Sequence, residues 1–269
     1  MTGADAPLGN VLVTGAGQRI GAAVARTLAA HGYCVVIHYR RSADAAQALQ
    51  AEIAANGGRA VLCDADLADP ADAETLVKRA AILLGEPLDA LVNNASLFDF
   101  DRARSTTREN LDRHYRTNAI APAILARQLF LQLPKGRQGA VVNLLDQKLA
   151  NPNPDFFSYS LSRYALAGAT TLMAQDFGGR CRVNAVAPGL TLPSAGQSDE
   201  VFDAIAGKNL LRRPSSASYV ADAVRFLIEC PGINGQCIWV DGGERFIKQP
   251  RDVMFLGPEG RESVAPASP

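Results

Sequence analysis

Short apolar runs bounded by turn residues alternate along the chain with longer stretches whose apolar positions recur at helical spacing. That alternation predicts successive βα units feeding a parallel sheet. The predicted strands are Val11–Val13, Tyr33–Tyr39, Ala60–Cys63, Ala90–Asn93, Ala140–Leu145, Arg182–Ala187 and Gln236–Val240. Val35, Val36 and Ile37 run without a polar break, and Val141, Val142, Leu144 and Leu145 enclose only Asn143, as in strands covered by helices on both faces. Nothing before Gln249 reads as a linker, and no solenoid repeat is present. The expectation is a single α/β domain over residues 1–248, a doubly wound parallel sheet of about seven strands with helices on both faces. Residues 249–269, with Pro250, Pro258, Pro266 and Pro269, read as an irregular tail; docking of Val253–Leu256 on a neighbouring subunit is the alternative.

Composition narrows the function. The 269 residues carry 27 Lys and Arg against 27 Asp and Glu. A neutral chain lacks the basic footprint that phosphate-backbone binding needs, which argues against a nucleic-acid partner. No apolar run reaches the roughly 18–20 residues of a membrane span, and Met1–Asn10 lacks the basic and apolar blocks of a signal peptide, so a cytoplasmic protein is expected. Cys34, Cys63, Cys181, Cys230 and Cys237 are odd in number and mostly set in apolar stretches, which predicts buried free thiols. His31, His38 and His114 are too scattered to form a metal site with them.

The first strand runs into Thr14-Gly15-Ala16-Gly17-Gln18-Arg19-Ile20-Gly21, which opens a helix. A glycine turn lets the backbone approach a pyrophosphate, and the helix N-terminus supplies free N–H groups and a positive dipole end. The spacing from Gly17 to Gly21 is one residue longer than in the common dinucleotide turn, so a plain strand-to-helix turn is the alternative. After the second strand, where an NAD enzyme places an acid against the ribose, the chain reads His38-Tyr39-Arg40-Arg41-Ser42. With Arg19 it suits the 2′-phosphate of NADPH, since no carboxylate competes for the position; the alternative is solvated arginines at a strand end.

Asp64-Ala65-Asp66-Leu67 and Asn93-Asn94-Ala95-Ser96 follow the third and fourth strands, at the carboxyl ends where open α/β sheets bind ligands. Together with Thr14–Gly21, Asn118, Tyr159, Pro188-Gly189 and Val240-Asp241-Gly242-Gly243, in that order and spacing, they make nearly the whole chain resemble the short-chain dehydrogenase/reductase family. The resemblance implies a Rossmann-like fold and an NADP(H) cofactor. It implies that Asp66 and Leu67 hold the adenine, Asn93 and Ala95 line the cofactor cleft, and Pro188 and Gly189 receive the nicotinamide amide. It also implies a homotetramer, and a substrate loop over residues 190–214 with a short apolar helix around Val201, Phe202 and Ile205.

Two departures carry more information. Four residues after Tyr159, where the family has lysine, stands Arg163, which supplies charge but releases no proton. A relay through position 163 is therefore doubtful, and Asn118, which resembles the asparagine supporting it, has a structural job as the alternative. Where most of the family has serine, thirteen residues before Tyr159, stands Asp146. A carboxylate suits a substrate rich in N–H groups. Asp146, Tyr159, Arg19, the His38–Ser42 string and Ser96-Leu97-Phe98 resemble the pteridine reductase branch, dihydromonapterin reductase-like. There the residue matching Phe98 stacks the pterin and that matching Ser96 touches cofactor and substrate. The implied reaction is NADPH-dependent reduction of a pterin C=N bond, with Tyr159 protonating nitrogen, Asp146 orienting the ring and Arg163 holding the ribose. Plainer readings make Phe98 a loop hydrophobe and Asp146 a strand-end cap; Lys148, two residues beyond Asp146, reads as a solvated loop lysine, with a substitute proton donor as the alternative. A carbonyl or enoyl reductase and a non-catalytic NADP(H)-binding protein are the rival functions.

Overall fold

The structure is a computed structural model that describes residues 8–193, 202 and 205–255. Seven strands form one parallel sheet: β1 (Asn10–Val13), β2 (Cys34–Tyr39), β3 (Arg59–Asp64), β4 (Ala90–Asn93), β5 (Gly139–Leu144), β6 (Cys181–Pro188) and β7 (Cys237–Val240). They coincide with the predicted strands to within one residue at each end. Between them lie α1 (Arg19–Ala30), α2 (Ala43–Ala55), α3 (Pro70–Leu84), α4 (Arg108–Tyr115), α5 (Ala121–Gln132), α6 (Phe157–Phe177) and α7 (Ala217–Glu229).

Alternation along each strand divides the core in two. Val11 and Val13, Val35 and Ile37, and Ala140 and Val142 face α1, α2 and α7; Leu12, Val36, Leu91 and Val141 face α3 and α5. Because successive side chains point to opposite faces, a strand buried on both sides must be apolar throughout, which is why β1 and β2 read as unbroken runs. Leu12, Leu28, Ile37, Leu91 and Leu125 are fully buried, each contributing about 2 kcal/mol of apolar transfer.

The strand order is β3-β2-β1-β4-β5-β6-β7. After β3 the chain returns past β1 and lays β4 on its other side, so the connections leaving β1 and β4 diverge at their carboxyl ends. That divergence opens the crevice in which such sheets bind ligands.

The tail expected from residue 249 is described as far as Phe255. That first part is irregular but anchored: the Arg251 guanidinium lies 2.7 Å from Asp155 and Asp252 lies 2.7 Å from the Lys148 ammonium. Both partners belong to the same chain and are buried, and a short 3-10 turn, Val253–Phe255, follows. Leu256 and the later prolines fall outside the described residues, as do Val201 and residues 194–200 of the predicted substrate loop. Phe202 and Ile205 are buried. Among the described residues no helix is long and apolar enough to cross a membrane.

Candidate active site

The glycine turn is built by close approach. Gly15 has φ 62°, and a Cβ there would stand 2.9 Å from the Ala95 backbone. A Cβ on Gly21 would collide with the Gly15 carbonyl oxygen and lie 2.5 Å from the Asn94 amide nitrogen. The turn is held by groups the motif reading passed over. Thr14 Oγ1 accepts the N–H of Asn94 at 2.9 Å and of Ala95 at 3.0 Å, and Asn94 Nδ2 donates to the Thr14 carbonyl at 2.8 Å. Thus Asn94 secures the cleft, whereas the Asn93 side chain is buried and donates to Asn143 Oδ1 at 2.8 Å. The Asn93 side chain therefore points into the core and not, as expected, into the cleft.

His38 also turns inward. Its Nδ1 accepts the Gly15 N–H at 3.0 Å and its Nε2 meets the Ala65 carbonyl at 3.2 Å, so the neutral ring carrying its proton on Nε2 satisfies both. Burial pushes its pKa down to about 4. The unfolded chain then binds the extra proton between pH 6.5 and 4, so this contribution is whole above 6.5 and lost as pH falls through 4. Urea unfolding is expected to show about 3 kcal/mol lost across that window, and His38→Gln to remove that component of the slope. An unaltered slope in the variant would show that the imidazole is not buried neutral.

The N-termini of the two helices that flank the glycine turn, α1 preceded by Gln18 and α2 preceded by Ser42, carry no side-chain cap. By contrast, α3 is capped by Asp69, α4 by Thr107 and α7 by Ser216. Uncapped N–H groups next to a glycine turn that has no room for side chains suit a pyrophosphate, with Ile20 in the first turn of α1. Arg40 and Arg41 are exposed beside Ser42, whose Oγ is only 2.8 Å from where a Gly17 Cβ would be, and Tyr39 is half-buried. The string therefore sits against the glycine turn, as a 2′-phosphate site requires.

Two details differ from expectation. A carboxylate does compete here, because Arg40 lies 3.7 Å from Asp66, which also caps the turn at Ala68. Arg19, at φ 57°, donates to the Pro193 carbonyl at 2.9 Å and makes no hydrogen bond with Arg40–Ser42 among the described residues. It bridges the glycine turn to the loop after β6. Leu67 is buried, Pro188 ends β6 and Gly189 follows it, with the Gly189 N–H bonded to the Val240 carbonyl at 2.9 Å.

Asp146 follows β5 and caps a 3-10 turn, Gln147–Leu149, by accepting the Lys148 N–H at 2.8 Å. Its other oxygen accepts the Tyr159 hydroxyl at 2.6 Å. The strand-end cap and the contact with the phenol are both present. Tyr159 lies in the first turn of α6 and is buried. Burial and the Asp146 charge hold its pKa well above the ordinary phenol range, against the smaller pull of Arg163. Burial likewise raises Asp146, opposed by the Lys148 N–H and the Tyr159 hydroxyl. Such a pair keeps the phenol protonated at neutral pH, the form that donates a proton.

Arg163 is buried, donates to the Leu144 carbonyl at 2.9 Å and lies 5.0 Å from the centre of the Tyr159 ring. Its Nε is buried with no partner among the described residues. Asn118 lies in a π-helical turn, Arg116–Ile120, between α4 and α5. It donates to the Leu97 carbonyl at 2.9 Å and to Ser162 Oγ at 3.0 Å, and accepts the Leu97 N–H at 2.8 Å. Its contacts are those of the structural alternative: it pins the Ser96–Phe98 loop to α6.

That loop presents Phe98 over the phenol. The rings of Phe98 and Tyr159 meet edge to face at 4.6 Å, and Phe98 stacks on Phe156 at 4.0 Å and 14°. Phe98 remains 41% exposed, and Ser96 is exposed beside it. Phe156 holds φ 58° immediately before α6, a conformation no sequence pattern signals for phenylalanine. Lys148 is neither a solvated lysine nor near Tyr159 by hydrogen bond: its ammonium is buried against Asn153, the Asp155 carbonyl and Asp252. No group of His, Cys, Asp and Glu among the described residues is arranged to hold a metal.

Residues 9–201 match the short chain dehydrogenase family. Pteridine reductase 1 of Leishmania tarentolae is 32% identical, with 86% of this chain and 94% of that protein covered. A 3-oxoacyl-[acyl-carrier-protein] reductase of Staphylococcus epidermidis is 30% identical, with 87% and 98% covered. The crystal structure of FolM alternative dihydrofolate reductase 1 from Brucella canis, complexed with NADP, superposes with a TM-score of 0.86 at 40% identity over 93% of this chain and 98% of that one. The chain belongs to the short-chain dehydrogenase family.

Proposed function

We propose that the protein is an NADPH-dependent reductase of a pterin C=N bond, converting a dihydropterin to the tetrahydro form. The observation that carries the reading is the 2.6 Å bond between Tyr159 and Asp146 beneath the half-exposed ring of Phe98. A flat heterocycle has a face for the phenyl ring and an edge of N–H groups for a carboxylate. A ketone lacks that N–H edge, and a serine hydroxyl would serve its carbonyl better than Asp146 does. Names among the similar proteins, a pteridine reductase and an alternative dihydrofolate reductase, support the same substrate class.

When bound, NADPH supplies the hydride. The residues that hold it are the glycine turn and uncapped α1 N-terminus for the pyrophosphate, Arg40, Arg41 and Ser42 for the 2′-phosphate, and Arg163 for the ribose. As carbon accepts the hydride pair, the adjacent nitrogen takes the proton from Tyr159 Oη, so the C=N bond becomes CH–NH. Asp146 then returns a proton to the phenolate and takes its own replacement from solvent. Because burial keeps the phenol neutral, the site is set for the reductive direction.

The test is NADPH oxidation with dihydropterins and with a panel of ketones, 3-oxoacyl thioesters included. Turnover of dihydropterins at least tenfold above any ketone is expected. Ketone-only turnover would establish the carbonyl reductase, and NADPH binding without turnover the non-catalytic protein.

A further inference from the structure

Glu244 opens the short 3-10 turn after β7 and is 9% exposed. Its carboxyl group stands between the two loops that frame the site. Oε2 accepts the N–H of Leu190, the first residue of the substrate loop, at 2.8 Å, and would lie 2.6 Å from a Cβ on Gly189. Oε1 is 3.4 Å from Nε2 of Gln147, the residue that follows Asp146.

The charges that act on it are carboxylates, Asp146 from the turn after β5, Asp241 just past β7 and Asp252 from the C-terminal segment, and each disfavours its ionised form. The nearby cations are engaged by the others, Arg245 by Asp241 at 2.8 Å and Lys148 by Asp252 at 2.7 Å. Among the described residues Glu244 makes no ion pair. Gln147 is buried too, and with Nε2 toward Glu244 its Oε1 has no donor among the described residues. The opposite orientation of that amide brings an oxygen to Glu244, where only a protonated carboxyl can donate to it.

We propose that Glu244 is a positioning residue that works as a neutral carboxylic acid, tying the start of the substrate loop to the turn that carries Asp146. Burial, helped by the three aspartates and opposed by the Leu190 N–H, pushes its pKa up to about 7. For an acid so raised, the stabilisation is complete below pH 4.5 and is lost as pH rises through 7. Above that, the charged carboxylate repels Asp146 and the tie loosens. The proposal rests on reading Asp146 and Tyr159 as the reaction centre, but its first test does not.

That test is the melting temperature of the wild type and of Glu244→Gln, without substrate, from pH 5.5 to 8.5. The wild type is expected to lose about 5–10 °C relative to the variant over this range, because the variant keeps a carbonyl for Leu190 and a permanent N–H for Gln147. In the second arm, the wild-type KM for dihydropterin should rise about tenfold between pH 6 and 8.5 at nearly constant kcat, and the variant KM should stay flat. A variant with the wild-type pH dependence, or one less stable at every pH, overturns the proposal. A pH-insensitive melting temperature in a variant whose parent reduces no pterin would support the acid form of Glu244 and sink the pterin reading.

Discussion

Asp146→Asn is expected to lower dihydropterin turnover by about 10²–10³-fold while leaving the NADPH dissociation constant within about twofold. The amide fills the same space and still offers an oxygen to the Tyr159 hydroxyl; its NH2 then faces the Lys148 N–H, which costs the 3-10 turn one capping bond of about 1 kcal/mol but leaves the cofactor crevice in place. What disappears is the group that exchanges protons with solvent and returns one to the phenol. The variant also removes the negative charge that helps raise the Tyr159 pKa, so the phenol should titrate lower than in the wild type. Stopped-flow NADPH oxidation and equilibrium fluorescence separate the two quantities. Unchanged turnover would remove Asp146 from the mechanism, and a parallel loss of NADPH affinity would move its role to the cofactor.

The second large effect is on cofactor choice. Arg41→Ala is expected to raise the NADPH KM by about 10–100-fold, the worth of a charge-assisted phosphate contact, and to leave the NADH KM unaltered. Arg40→Ala should cost less, because in the structure its guanidinium lies 3.7 Å from Asp66, and part of what it gives the phosphate is taken from that pair. No such pair restrains Arg41 among the described residues. Equal losses for NADPH and NADH in either variant would place that arginine on the pyrophosphate instead. Loss of binding in neither would leave both as solvated residues at the end of β2.

The seven strands were legible because a strand covered on both faces must be apolar at every position, and the runs at Val35–Ile37 and Val141–Leu145 are of that kind. Tyr159 and Asp146 were legible through the resemblance to a family that has its tyrosine and a serine at those two positions, and a 2.6 Å bond joins them. The residues that position the site were less so. A histidine in a string of arginines reads as surface, and only the register of β2 shows that position 38 points inward, toward Gly15. Asn93 and Asn94 are adjacent, and the two-residue period of a strand decides which faces the core and which the cleft. The burial of Lys148 depends on Asp252, more than a hundred residues away, and the φ of Phe156 depends on packing against Phe98. Contacts of that range leave no local pattern. Glu244 follows a glycine pair that marks a turn, but nothing in the sequence indicates that it meets Leu190 and Gln147.

The protonation state of Tyr159 carries the account. Ultraviolet difference absorbance near 295 nm, titrated from pH 7 to 10 in the wild type against Tyr159→Phe, reads its phenolate directly. No phenolate attributable to Tyr159 should form in that range, since the hydroxyl is buried against a carboxylate. A phenolate appearing between pH 7 and 8 would contradict a site built to give a proton to its substrate.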